Sequence, residues 1–284
     1  MTVINTNSAA TITANALTRN ERAMGQTMER LSTGMRINSA ADDAAGLAIS
    51  SKMTSQITGL NQAVRNANDA ISMVQTAEGG LIEVGNMLQR MRELSVQAAS
   101  GTNTTSDIAA MDQEFDALVL EIDRVATQTQ WNGTEILDGH GSVAFQVGAN
   151  ASQTISITFA DFNKAAGVFS ALDIDGGSNT ATLAALDITA SGGAAKAIYA
   201  MDDAIKNVNS ERATMGATIN RLEYAVDNLS NVSQNASASR SRVMDADYAS
   251  ETTELARTQI IQQAATAMLS QANQSSQSVL ALLK

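Results

Sequence analysis

The sequence contains no proline and no cysteine, and aromatic residues make up only 3% of its 284 residues. Proline interrupts helix interiors at a cost of about 3 kcal/mol, so its absence favours long uninterrupted helices. The absence of cysteine excludes disulfide bonds, thiolate catalysis and cysteine-ligated zinc. The apolar 44% therefore consists mainly of Ala, Met, Leu, Ile and Val, which suits closely packed helices.

The chain also has fewer basic than acidic residues and contains no long apolar runs. It has 18 Lys and Arg against 29 Asp and Glu, a net charge of −11. This balance argues against nucleic acid as a partner. No stretch reaches the roughly eighteen consecutive apolar residues of a membrane span, so no membrane insertion is expected. Residues 1–7 do not resemble a cleaved signal peptide, so any export is expected to occur without one.

Apolar residues recur at alternating gaps of three and four over three long segments, the spacing of coiled-coil helices. Gly79-Gly80 interrupts the first series, and Arg212 and Ser233 are polar exceptions in the third. The three series are Ile57, Leu60, Val64, Ala67, Ile71, Val74, Leu81 and Leu88; Ile108, Met111, Phe115, Leu118, Ile122 and Val125; and Ile198, Met201, Ile205, Val208, Met215, Ile219, Leu222, Val226, Leu229 and Ala236.

Both ends of the chain repeat the pattern with smaller side chains. Isolated helices draw most of their stability from packing, so we expect both ends to be mobile in the monomer and ordered only against partners. The two stripes are Ala14, Leu17, Met24, Met28, Leu31 and Met35, and Ile261, Ala265, Met268, Ala272, Val279 and Leu282.

The helical period fails between about residues 131 and 195. Residues 143–147 and 154–159 alternate in polarity, and residues 148–152 between them suit a hairpin turn. Beyond Asp173 the sequence is rich in Gly, Ala, Thr, Ser and Asp, which indicates a loop or a reduced insertion. The predicted fold is mainly α: a long antiparallel coiled-coil-like bundle with a small β-hairpin region and paired N- and C-terminal helices.

Five ordered motifs resemble the signatures of bacterial flagellins. They cover roughly residues 1–170 and 196–284, which makes the resemblance specific. The motifs are residues 31–49 (LSTGMRINSAADDAAGLAI), 89–97 (QRMRELSVQ), 121–126 with 131–133 (EIDRVA and WNG), 239–249 (SRSRVMDADYA), and 271–274 with 279–284 (QANQ and VLALLK). The chain departs from the family at Trp131, where Phe is usual, and at residues 275–277, which lack the family's common proline.

The resemblance implies a minimal flagellin without large outer domains. Residues 1–40 with 245–284 are expected to form a terminal helical domain that lines the inner tube of a filament. Residues 41–172 with 196–244 would form a helical core domain in the outer tube, and residues 173–195 a reduced variable loop. The residues expected to pack between subunits are Leu17, Met24, Leu31, Ile261, Met268, Val279 and Leu282.

The same resemblance implies an extracellular, self-assembling subunit of the flagellar filament that serves motility. Its expected partners are further copies of itself, the flagellar export apparatus, an export chaperone, and filament cap and junction proteins. A host flagellin-sensing Toll-like receptor is also implied, through Arg90, Leu94 and Glu114. Arg90 and Leu94 lie four residues apart on one helix face, so we expect an exposed pair there.

Residues typical of catalysis are sparse, and we predict no enzyme activity, cofactor or metal site. The single histidine, His140, lies between two glycines, which is typical of a solvated loop residue. The side chains of adjacent residues such as Asp42-Asp43 and Asp202-Asp203 point about 100° apart on a helix, which favours helix N-terminal acids or a junction contact over an acid–base pair. The main alternative function is a coiled-coil adaptor such as a hook–filament junction protein.

Overall fold

The computed structural model describes residues 6–176, 179–190 and 192–281. Within these ranges the chain forms five α-helices and three two-stranded antiparallel sheets, so the predicted mainly helical fold is confirmed. The helices are α1 Ser8–Thr33, α2 Ala44–Ala98, α3 Thr105–Gln128, α4 Gly193–Met244 and α5 Tyr248–Ala281. The strands are β1 Gln130–Trp131, β2 Thr134–Glu135, β3 Asp138–Gln146, β4 Thr154–Asp161, β5 Leu172–Asp173 and β6 Thr180–Ala181.

The chain divides into two compact units. The terminal unit consists of Met1–Ile57 and Gln234–Lys284, and the central unit is Thr58–Ser233. The sequence placed the divisions between α1 and α2 and between α4 and α5; the compact units instead divide within α2 and within α4. The last residues of α4 contact the linker after α1, since the Arg36 amide donates to the Met244 carbonyl and the Arg36 guanidinium to the Val243 carbonyl.

The hydrophobic core lies in the central unit, where the predicted heptad positions are buried or half-buried. Met111, Phe115 and Ile122 of α3 are buried, as the second series requires. Phe159, Phe162 and Phe169 add aromatic volume from the β region, and the rings of Phe162 and Phe169 meet edge to face at 5.7 Å. The few aromatic residues of the chain are thus concentrated in this unit.

Gly79 and Gly80 interrupt the apolar series but not the helix, because α2 continues through both residues. A Cβ at Gly80 would lie 2.9 Å from Leu137 Cδ1 and 3.1 Å from Thr129 Oγ1. Gly80 therefore lets the segment after α3 approach the helix closely, and this contact compensates for glycine's low helix propensity.

The two polar exceptions in the α4 series have partners on α2. Arg212 Nη2 lies 3.7 Å from Glu78 Oε1, and Ser233 Oγ lies within hydrogen-bond distance, 2.9 Å, of Asn61 Oδ1. Both side chains therefore stay on the inner face, where polar groups need such partners.

The predicted hairpin is confirmed in β3 and β4, which pair from Gln146↔Thr154 to Asp138↔Asp161 with an irregularity between Asp138 and Gly141. Ile157 and Phe159 of β4 are buried, whereas Ser156 and Thr158 between them are exposed. The smaller hairpin of β1 and β2 was missed. Asn132 and Gly133 both have positive φ there, as an Asn-Gly turn requires.

Residues 173–195 are more than a loop. Leu183, Leu186 and Ile188 are buried in the main core, and the backbone amide of Ile188 donates to Asp112 Oδ1 of α3 at 3.3 Å. Three apolar side chains therefore anchor the segment to the core, which fits a reduced insertion, and its variability stays a prediction.

Candidate functional site

The helices α1 and α5 pair antiparallel in the terminal unit, and the face between them is polar at its most buried positions. Asn20 is 9% exposed and Thr258 is 1% exposed. The Asn20 side-chain Nδ2 donates to the carbonyl oxygen of Thr258 at 2.8 Å. Thr27 is also buried, and its hydroxyl donates to its own helix at Ala23. This interior satisfies its polar groups but buries little apolar surface.

Two further polar contacts join the same pair of helices. The Asn7 side chain donates to the Ala272 carbonyl at 3.0 Å near one end. Near the other end, Arg30 Nη1 lies 3.3 Å from Glu251 Oε1, and the Glu251 side chain is largely shielded from solvent. The contacts are spread along both helices and run in one antiparallel register.

The linkers that follow α1 and precede α5 form a short backbone ladder. The Arg36 amide donates to the Met244 carbonyl at 2.6 Å, and the Ala246 amide donates to the Gly34 carbonyl at 2.9 Å. Gly34 ends α1 with a φ of 71°, a left-handed conformation that glycine adopts without strain. The ladder therefore holds the two helices side by side where they leave their linkers.

Asp42 stabilises the linker before α2, and Asp43 stabilises the first turn of that helix. Asp42 Oδ2 accepts from the backbone amides of Asn38 and Ser39, and these hydrogen bonds lower the pKa of the Asp42 carboxyl. Asp43 Oδ1 accepts from the Gly46 amide at 2.9 Å, which satisfies a donor in the first turn of the helix.

The predicted subunit-packing residues differ in their surroundings. Leu17, Met24 and Leu31 are half-buried and share the heptad face of Asn20 and Thr27, which is the face toward α5. Each of the three side chains keeps an exposed part, so their packing against neighbouring subunits stays a prediction.

Two residues of the C-terminal stripe do face outward. Ile261 is 41% exposed and Met268 is 62% exposed. They belong to a set of outward apolar side chains on the paired helices, Ile12, Met28, Ile260, Ile261 and Met268, which we call the outer apolar row. The side chain of Val279 and the whole of Leu282 lie outside the described residues.

The predicted receptor residues lie on α2 and α3 of the central unit. Arg90 Nε contacts Glu114 Oε1 at 2.9 Å with both side chains about half exposed. Hydrogen bonds to Glu114 and then Glu93 raise the pKa of Arg90. This exposed ion pair links the two helices and presents a fixed guanidinium to solvent.

Leu94 is 2% exposed, so the expectation of an exposed leucine beside Arg90 is wrong. Arg90 meets Glu114 of α3, whereas Arg92 Nε meets Asp202 Oδ1 of α4 at 2.6 Å. Because α2 has a neighbouring helix on each side, its buried face is wider than a heptad stripe and includes Leu94.

The functional residues that sequence reasoning missed are the polar ones between α1 and α5: Asn20, Thr27, Thr258 and Glu251. A signal for two of them was available. Leu17, Met24 and Leu31 are spaced by seven, and a coiled-coil face requires inward positions three residues after each of the first two, which are Asn20 and Thr27.

His140 is exposed on β3, next to the irregularity between Asp138 and Gly141, rather than in a loop. Among the described residues, no cluster of His, Cys, Asp and Glu is arranged to hold a metal ion. Over the same residues, none of the helices combines the length and apolarity that crossing a membrane requires.

Comparison with known proteins links this architecture to one family. The family model of the bacterial flagellin N-terminal helical region matches residues 4–142, and that of the C-terminal helical region matches residues 198–283. A flagellin of Halalkalibacterium halodurans is 48% identical over 258 residues, which cover 90% of each chain. A flagellin of Bacillus subtilis is 43% identical over 308 aligned positions, which cover 99% of each chain.

Among solved structures, a putative flagellar hook-associated protein from Vibrio parahaemolyticus matches 72% of this chain and all of its own, with a TM-score of 0.58. At 17% identity this likeness concerns the fold.

Proposed function

This chain belongs to the bacterial flagellin family, a structural subunit of the flagellar filament, and we propose that its paired terminal helices carry the contacts between subunits. The observation that supports this is the outer apolar row. Exposed apolar side chains that recur along one pair of helices are typical of an association surface. Further copies of the chain would cover them.

We further propose that the two units occupy different parts of the filament. The terminal helices would line the inner tube, and the heptad helices of the central unit would form the outer tube. Residues 173–195 would lie outermost, as the reduced remnant of outer domains. Covalent catalysis, cofactors and metals have no part in this proposal.

The filament is extracellular, and we infer that the subunit reaches it through the flagellar export apparatus, with an export chaperone as its partner inside the cell. Filament cap and junction proteins would contact the same terminal helices at the filament ends. The weakly apolar interior of the α1–α5 pair supports this proposal, because a pair that opens easily is compatible with passage in a less folded state.

Seeded polymerisation tests the proposed function. Purified chain is mixed with fragments of its own filament and followed by sedimentation and electron microscopy. Long uniform filaments are expected. Short objects that cap the seeds without elongating them would favour the junction-adaptor alternative, and a chain that stays in the supernatant would overturn both.

We also propose that Arg90 and Glu114 contribute to recognition by the host flagellin-sensing Toll-like receptor. The support is the exposed, preorganised guanidinium, which suits charge-assisted hydrogen bonds to a partner. Leu94 would act by supporting α2 from inside rather than by touching the receptor.

A receptor reporter assay on monomer tests this second proposal. Arg90→Ala is expected to lower activation about tenfold or more, as loss of a hot-spot arginine does. Arg65→Ala, an exposed arginine elsewhere on α2, serves as the matched control and is expected to signal like the parent chain. Equal activation by both variants would remove Arg90 from the receptor contact and leave the filament assignment intact.

A further inference from the structure

The antiparallel pairing of α1 and α5 has one register from the linkers outward. The ladder joins Arg36 to Met244 and Gly34 to Ala246, and the ion pair joins Arg30 to Glu251 one turn further on. The Asn20 and Asn7 contacts continue in the same sense, because 13 residues between them on α1 match 14 between Thr258 and Ala272 on α5. Every contact therefore depends on the same alignment of the two helices.

Most of these contacts do not depend on which side chains α5 carries. The ladder consists of backbone groups, and Asn20 and Asn7 donate to backbone carbonyls, which every residue provides. The half-buried apolar side chains of α1, Leu17, Met24 and Leu31, repeat every seven residues, so a slip by one heptad would give them equivalent positions. Thr258 and Thr27 direct their hydroxyls to their own helices.

The Arg30–Glu251 contact is different, because both groups are specific side chains. Residues 255–284 contain no acidic residue. Moving α5 by one heptad toward the linkers would place the buried Thr258 beside Arg30 and remove the carboxylate that α5 gives it, leaving only the longer-range attraction of Asp42. The cleft around the pair is mostly polar, lined by Ala23, Gln26, Thr27, Arg30, Ser250, Glu251 and Glu254. Without Glu251, Arg30 would lose its charge-assisted hydrogen bond.

We propose that the Arg30–Glu251 ion pair is the specificity-determining contact that fixes the register of α5 on α1. This rests on the proposed function, since register matters because the outer apolar row is contributed by both helices. A slip of one heptad moves Ile260, Ile261 and Met268 by about 10 Å relative to Ile12 and Met28. A neighbouring subunit that packs on both helices would then meet these apolar side chains in a different arrangement.

The absence of cysteine makes the register measurable by disulfide trapping. Thr13 and Ala265 lie one heptad from Asn20 and Thr258, so Thr13→Cys with Ala265→Cys reports the observed register. Thr13→Cys with Ala272→Cys reports a slip of one heptad. The cysteine-bearing chain is mixed with seeds of the cysteine-free chain and oxidised, and intramolecular cross-links are separated from dimers by mobility on a non-reducing gel.

With Arg30 present, the 13–265 cross-link is expected to exceed the 13–272 cross-link at least about fivefold. Arg30→Glu places a third acid beside Glu251 and Glu254, so the ratio should fall toward one and the sedimentable fraction should fall about tenfold. Combining Arg30→Glu with Glu251→Arg should restore both values to within about twofold. Arg22→Glu, an exposed arginine on α1, is the control and should change neither value.

A ratio that does not respond to Arg30→Glu, or that the charge swap does not restore, would overturn the inference. Failure of the parent chain to grow on seeds while the ratio still responds would instead refute the proposed function and leave the register assignment standing.

Discussion

The two units of this protein are both built mainly from long helices but bury very different amounts of apolar surface. Phe115, Leu81 and Met91 are fully buried in the central unit, together with most of the chain's large apolar residues. Among the described residues of the terminal unit, the buried apolar side chains are Ile37 and Ile57 alone. Regular helical geometry is therefore common to both units, whereas a hydrophobic core belongs to one of them.

The terminal unit exposes what the central unit buries. The outer apolar row lies on its paired helices, and Ile49 and Tyr248 are exposed near their linker ends. Helices obtain most of their stability from packing of an apolar face. We infer from this difference that the central unit folds within one chain, whereas neighbouring chains bury the apolar side chains that the terminal unit leaves exposed.

Removing the terminal helices should have the largest effect, and it should separate assembly from the folding of the central unit. A chain lacking residues 1–36 and 250–284 should lose polymerisation, because the outer apolar row and both terminal helices are gone. The central unit should keep its thermal transition, since its core does not include these residues. Sedimentation after seeding and circular dichroism during heating measure the two effects. Polymerisation of the shortened chain at the parent's rate would contradict the account.

A core substitution in the central unit should act on folding. Phe115→Ala removes a fully buried ring from α3 and is expected to lower the free energy of unfolding by about 3–5 kcal/mol. Leu120→Ala on the same helix removes an exposed side chain and should change it by less than about 0.5 kcal/mol. Urea unfolding of the monomer measures both. Similar losses for the two variants would show that the core is not where the structure has it.

Substitutions in the outer apolar row should act on assembly instead. Ile261→Ser with Met268→Ser should change monomer unfolding by less than about 0.5 kcal/mol, because both side chains are exposed. The critical concentration for polymerisation should rise about tenfold or more, since two apolar contacts per interface are lost. Gln263→Ser with Thr266→Ser, exposed polar residues on the same helix, is the control. A normal critical concentration for the apolar double variant would remove these residues from the subunit contact.

The smallest expected effect concerns the ionisation of Glu211 in the central unit. Partial burial raises the pKa of the Glu211 carboxyl on α4, partly opposed by a hydrogen bond from the Ala160 backbone. A carboxyl with a raised pKa in the folded state contributes stability at low pH that is lost as the pH rises through that pKa. Glu211→Gln should therefore raise the melting temperature near pH 7 by no more than about 2 °C.

The gain from Glu211→Gln should disappear below about pH 4, where the glutamate is protonated in both states. Glu223→Gln, an exposed glutamate on α4, is the matched control and should show no such pH dependence. A gain from Glu211→Gln that is the same at both pH values would exclude the carboxyl's ionisation as its cause.

Much of the central unit could be predicted, because the spacing of its apolar residues follows directly from helix and strand geometry. The heptad spacing of α3 predicted its buried residues, and the alternation of polar and apolar residues predicted the β3–β4 hairpin. Leu94 was misjudged because a heptad describes contact with one neighbouring helix, whereas α2 has two. The anchoring of residues 173–195 depends on three apolar side chains in a polar segment, too few to produce a period.

The polar contacts of the terminal unit were harder to foresee. Asn20 and Glu251 look like surface residues in the sequence, and only the pairing of distant segments gives them partners. Pairing of the first and last helices was predicted, but its register was not, because the small apolar residues of both stripes allow several alignments. The mobility of these ends in the monomer remains a prediction.

Hydrogen exchange of the same chain as monomer and as filament tests the central claim most directly. We expect the amides of α1 and α5 to be protected at least about a hundredfold more in the filament than in the monomer, while the amides of α3 differ by less than about threefold. Equal protection of α1 and α5 in the two states would contradict it, because the terminal unit would then be complete within a single chain.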